Sequence, residues 1–221
     1  MDTTADKKWA WPGMLIGGCV TGIPLGWLLA YLAFLPVYLG LFFFMLLGLI
    51  PGAFMYRLGS SKAPLHRGVL WLAGLIVSLL IGVTTLFAEY RGLENNVVQT
   101  IEGSYRRGLP ADQRHRVRSM VSEHIGLYLN NNYPPGGFSG YLRWAGTDGE
   151  LECEVDLDRP VSFSYRLPQR RKIWLTRVLL SFVLLAGAVL SQVLGLAKRR
   201  ESNEIVESEA SPPSPGGTTK P

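Results

Sequence analysis

Three histidines and a set of carboxylates are the residues of this sequence whose types could bind a metal or move a proton. Their spacing argues against a joint site. His115 and His124 lie nine residues apart on one predicted helix, which at about 3.6 residues per turn sets them on opposite faces. His115 and Glu123 fall closer in projection but about two turns apart along the axis, too far for direct contact. His66 is separated from both by a predicted membrane span. Each histidine therefore reads as a surface or interfacial residue, and no metal ligand set is expected. Gly137-Phe138-Ser139-Gly140 shares its residue types with a nucleophile elbow but lacks the Gly-x-Ser-x-Gly form and the preceding strand, so it reads as the start of a strand. Asp156 and Asp158 could meet a cation from one face, yet carboxylates there serve a turn equally well. No glycine loop followed by Lys-Ser or Lys-Thr is present to hold a phosphate, and no cofactor is expected.

The arginines are more informative because they mark boundaries. Glu89, Arg91, Arg170 and Arg177 all fall near the ends of long uncharged stretches, and a membrane-interface enzyme would require them to converge. Arg177, one turn inside the last apolar stretch, reads as a snorkelling residue, its stem in the acyl region and its guanidinium among phosphates. With Arg170, Arg171 and Lys172 it forms a candidate headgroup contact. Arg114 and Arg118 are one helical turn apart and follow Arg106 and Arg107, which makes a basic but ordinarily solvated face. No aromatic residues are interleaved there, so nucleic acid is not an expected partner. The net charge of +5 does not alter this: residues 89–172 carry 12 Lys and Arg against 11 Asp and Glu. Cys19 and Cys153 belong to different predicted segments and suggest neither a disulfide nor a metal. No Asn-x-Ser/Thr glycosylation sequon occurs.

The elements that must position these residues are mostly apolar helices. Residues 13–56 contain no Asp, Glu, Lys, Arg or His, a run of 44, whereas one crossing of the hydrocarbon needs about 20 apolar residues. Pro36 lacks an amide donor and pushes Leu35 away from helical dihedrals, dividing the run into spans over 13–35 and 37–56. Tyr31, Phe34 and Tyr38 around that break suit the membrane interface. Two further spans are predicted over 69–88 and 173–197. Lys7 and Lys8 precede the first span as they would in a signal peptide, but its apolar segment exceeds the usual length of about 7–15 residues. The chain is thus expected to be a four-helix transmembrane bundle, with a short N-terminal segment over 1–12 and a basic loop over 57–68. A soluble α+β insert follows over 89–172, and a basic, then disordered tail over 198–221. Eight basic residues flank the spans on the side of the termini and the 57–68 loop, against five on the insert side. The positive-inside rule then places both termini in the cytoplasm and the insert outside it, in the plasma membrane, although Arg170-Arg171-Lys172 oppose that orientation.

Within the insert, Leu93, Val97, Val98, Ile101 and Tyr105 recur at helical spacing, as do Val117, Met120, Val121, Ile125 and Tyr128. Pro134-Pro135-Gly136-Gly137 ends the helical pattern. Period-two alternation over 138–144, 151–157 and 161–167 predicts a three-stranded antiparallel meander with one buried face. Its outer acidic row of Glu150, Glu152, Glu154 and Asp156 would be flanked by Arg143 and Arg166. The tail from Glu201 is rich in Ser, Pro, Gly and Glu and is expected to be disordered.

Every predicted span carries a ridge of small residues. Gly18, Gly22 and Gly26 are spaced by four in the first, and Gly48 and Gly52 in the second. Gly74, Ser78 and Gly82 continue the pattern in the third, and Gly187, Ser191 and Gly195 in the fourth. In lipid, close van der Waals contact along such ridges is a main source of helix association. Packing within one chain, a homo-oligomer interface and a glycine-lined pore all remain open. Pro24 and Pro51 would kink the first two helices. The leading expectation is a non-enzymatic multi-pass membrane protein, a partner-binding or accessory subunit with a small extracytoplasmic domain, its partners being the bilayer and a membrane protein or second copy. A transporter or channel for a small solute or lipid is the alternative, and a membrane-interface enzyme the second.

Overall fold

The computed structural model describes residues 3–32, 37–60, 66–104, 111–147, 149–156, 160–167 and 171–210. Six α-helices and two strands are described: α1 (Thr3–Leu32), α2 (Val37–Met55), α3 (Arg67–Ser104), α4 (Ala111–Asn132), α5 (Gly137–Ala145), β1 (Glu150–Asp156), β2 (Pro160–Arg166) and α6 (Arg171–Ala210). A π-helical turn, Tyr56–Ser60, follows α2. The helices α1, α2, α3 and α6 are long and apolar enough to cross a membrane. Only 33–39% of each apolar window is buried. Large apolar side chains such as Val20, Leu72 and Leu179 stand more than half exposed, as helices of a small bundle facing lipid would leave them.

Contacts divide the chain into two compact units. The first comprises Met1–Pro24, Phe44–Ile81 and Leu184–Pro221. Its interior is built on glycines: a Cβ on Gly18 would come within 2.5 Å of Val77, and one on Gly52 within 2.8 Å of the Val189 carbonyl oxygen. Met14, Met55, Val77, Ile81, Val189 and Val193 are fully buried there.

The second unit, Leu25–Phe43 with Gly82–Val183, contains the insert. Its core runs from Leu93, Val97 and Ile101 on α3 through Val117, Val121 and Ile125 on α4 to Tyr141 and Trp144 on α5, closed by Leu151, Tyr165 and Trp174. The apolar faces predicted for the two insert helices are the buried ones; Tyr105 lies outside the described residues. The first of those helices is the continuation of α3, which runs unbroken for 38 residues.

The sheet differs from expectation. Two strands pair antiparallel, with Leu151 opposite Tyr165 and Cys153 opposite Phe163, but residues 137–145 form α5 rather than a third strand. Phe138, Leu142 and Trp144 fit period two, yet Phe138, Tyr141, Leu142 and Ala145 fit the helical period equally. Two local features favour the helix. Gly136 and Gly137 adopt φ of +77° and +58°, left-handed values that let the chain turn directly into α5. The free edge of β1 is also already occupied: Trp144 Nε1 and the Tyr128 hydroxyl donate to the Glu150 carbonyl at 2.8 and 3.2 Å, and His124 Nε2 lies 2.7 Å from the Glu152 carbonyl. Side chains thus cover the backbone acceptors that a third strand would have paired. Gly137-Phe138-Ser139-Gly140 is accordingly the first turn of α5, with the Ser139 hydroxyl donating to the Gly136 carbonyl at 3.1 Å. Arg143, carried on α5, donates to the Pro134 carbonyl instead of flanking the acidic row, whereas Arg166 does pair with Glu150. The turn at Asp158 lies outside the described residues. At the C-terminus α6 continues to Ala210, so residues 201–210 are helical, and 211–221 lie outside the described residues.

Candidate functional site

The uncharged stretch of α3 ends at Ala88, and the next residue is a carboxylate; the uncharged stretch of α6 begins at Val178, and the residue before it is a guanidinium. The fold brings these two boundary charges together. Arg177 Nη2 donates to both carboxylate oxygens of Glu89, at 2.8 Å each, and the side chains are only 10% and 9% exposed. One nitrogen is thus shared between two oxygens. Arg177 is enclosed by protein in this arrangement, not extended to the surface as a snorkelling residue would be.

Two aromatic side chains lie against the pair. Trp174 precedes Arg177 by three residues on α6 and so shares its face; it is 5% exposed. The Tyr141 hydroxyl and the Trp174 indole lie beside the Glu89 carboxyl. The indole is close enough to act on that charge, but Trp174 Nε1 is fully buried and has no partner of hydrogen-bond geometry. Tyr141 packs between Tyr90 and Trp144, with ring centroids 5.6 and 5.9 Å apart and the rings tilted by 47° in both pairs. Burial, and then the Glu89 charge, pushes the Tyr141 hydroxyl well above the usual tyrosine range, so that it remains a neutral donor. Burial of this degree strengthens the Coulomb attraction of the pair and raises the penalty for removing one member.

Chemically the arrangement is a staple: it neutralises its own charges in place and ties α3 to α6 across 88 residues of sequence. Of the residues whose convergence an interfacial enzyme would require, Glu89 and Arg177 meet. Arg91 is exposed, with its guanidinium 5.9 Å over the Phe87 ring, and Arg170 lies outside the described residues. Arg171 and Lys172 are exposed at the start of α6. They line an open groove of about 1010 Å³ with Arg166, Glu150 and Tyr128, a surface of mixed charge.

Several other polar residues in and beside α3 and α4 are bound into the fold. Arg114 pairs with Glu102 and Arg118 with Glu94, each at 3.4 Å, so the basic turn of α4 straps that helix to α3. His66 Nδ1 accepts from the Gly68 amide at the start of α3. Among the described residues no three His, Cys, Asp or Glu side chains come together.

The small-residue ridges are used unequally. Gly22 faces Ile81, Gly48 faces Ala188 and Leu185, and Gly74 faces Leu190, all closely enough that an added methyl would collide. Ser78 is buried and donates to the Gly74 carbonyl at 2.8 Å, and Gly26 is buried. Gly82 has only ordinary contact with Phe182 at 3.7 Å. Gly187 and Gly195 meet nothing within 4 Å, and Ser191 on the same face is exposed.

Sequence reasoning names Glu89 and Arg177 among four boundary residues that an interfacial enzyme would bring together, without pairing them, and gives Tyr141 and Trp174 no role. One signal was present: each of Glu89 and Arg177 is the charge that bounds its apolar stretch on the same side, so two adjacent helices would set them at one level.

Fold and site together define a class, four long apolar helices with an α+β insert carried between the third and fourth. Comparison with known proteins names no member of it: no protein-family model, curated protein or solved structure is significantly similar to this chain.

Proposed function

We propose that this chain is an integral protein of the cell membrane that holds its α+β insert outside the cytoplasm, with both termini inside, as a non-enzymatic partner-binding or accessory subunit. The observation that carries this reading is the way the insert is mounted. α3 runs without a break from an apolar stretch into the insert core, α6 leads from that core into another, and the Glu89–Arg177 pair fastens the two helices where the charged residues begin. A domain held in this way is presented at a fixed orientation, which lowers the ordering cost of engaging a partner. Its ionisable residues support the same reading, because Glu89, Arg114, Arg118 and Arg177 are each committed to an internal pair. Purification of the full chain in mild detergent is expected to recover a stoichiometric companion or a defined oligomer. Recovery of a lone, monodisperse monomer would contradict the proposal.

A further inference from the structure

We infer that the cavity beside Arg91 is a binding site for the headgroup of an anionic phospholipid. This rests on the membrane reading above but not on any protein partner. The cavity, of about 480 Å³, lies within the second unit between the end of α1 and the segment of α3 that follows the apolar stretch. Its lining is of two kinds, apolar or aromatic at Trp27, Ala30, Tyr31 and Ala88 and polar at Arg91, Asn95, Asn96 and Gln99. Asn95, Asn96 and Gln99 fall seven to eleven residues beyond Ala88, the last residue of the uncharged stretch, and Trp27 and Tyr31 are aromatic residues of the type that occupies the membrane interface. An apolar wall continuous with amide and guanidinium groups matches a molecule with acyl chains at one end and a phosphodiester with polar substituents at the other.

Charge selects among headgroups. Glu89 also lines the cavity, but its charge is cancelled by Arg177 at 2.8 Å, so the excess charge at the site is that of Arg91. Among the described residues Arg91 has no carboxylate partner; its guanidinium lies over the Phe87 ring, which leaves the N–H groups at its edge able to reach a phosphate. Nearby carboxylates do not compete, since Glu94 and Glu102 are paired with Arg118 and Arg114. A zwitterionic headgroup would bring its own cation to the one uncompensated cation of the site, whereas an anionic headgroup brings only complementary charge.

The test is native mass spectrometry of the full chain, released from detergent containing equal amounts of phosphatidylglycerol and phosphatidylcholine. The wild-type chain should retain phosphatidylglycerol preferentially. Arg91→Gln should lower that preference about fivefold, the worth of one cation near a membrane surface. Arg91→Lys should keep most of it, and Arg116→Gln, which removes an exposed charge elsewhere, should leave it unchanged. Equal retention of the two lipids by the wild type, or equal loss in Arg91→Gln and Arg116→Gln, would overturn the site. So would displacement of the lipid by millimolar inorganic phosphate, which would mark a site for the free anion. Retention of no lipid at all would overturn the site and leave the membrane reading standing.

Discussion

Glu89 and Arg177 illustrate how a buried ion pair can be decisive without being favourable in absolute terms. Removing one partner strands a buried charge, whereas removing both strands none. Glu89→Leu or Arg177→Met alone should therefore destabilise the chain by about 3–5 kcal/mol, and the double substitution by clearly less than either single one, as read from thermal unfolding in detergent. Additive losses would show that the two side chains do not interact. Tyr141 gives a second prediction, with its sign set by linkage. Its folded-state pKa is raised by burial and by the Glu89 charge, so the folded chain holds the phenolic proton more tightly than the unfolded chain does. That contribution is complete below the unfolded value, about 10, and is lost as pH rises above it. Stability should fall beyond that point, less steeply in Tyr141→Phe, while buried Tyr165, also pushed up, keeps part of the slope. Equal slopes in both chains would contradict this. At this scale the sequence was only partly legible. Charges that bound an apolar stretch can be read from one chain, as can the helical spacing that sets Trp174 beside Arg177, but that Tyr141 would reach the pair depends on α5 folding as a helix, which the alternating pattern concealed.

The long helices were the most legible elements, because a stretch without charge over about 20 residues has few alternatives. Their partners were less so. All four small-residue ridges look alike in sequence, yet Gly52 lies against the Val189 backbone while Gly187 meets nothing within 4 Å. Gly52→Leu should accordingly cost about 1–3 kcal/mol or prevent assembly, since the carbonyl in its way cannot move like a side chain end. Gly187→Leu should change monomer stability by less than about 0.5 kcal/mol. Detergent melting curves of the two variants check this, and equal destabilisation would contradict the packing. The third strand failed as an expectation for a different reason. Over seven residues the two periodicities overlap, and what separated them was tertiary: hydrogen bonds from His124, Tyr128 and Trp144 that occupy the β1 edge, together with two left-handed glycines. The glycines were visible in sequence as a helix stop, but not as the start of another helix.

For the whole molecule the proposed function requires that all four long apolar helices cross a membrane, which would put the two ends of α3 on opposite sides of it. The apolar exposure of the long helices and the unbroken passage of α3 into the insert core both support this proposal. Labelling of single engineered cysteines addresses it most directly, with Cys19 and Cys153 first replaced. In intact cells, a membrane-impermeant thiol reagent should label Ser139→Cys on α5 and should leave Ser60→Cys unlabelled until the membrane is opened. Labelling of both positions, or of Ser60→Cys alone, in intact cells would contradict the arrangement proposed for this protein.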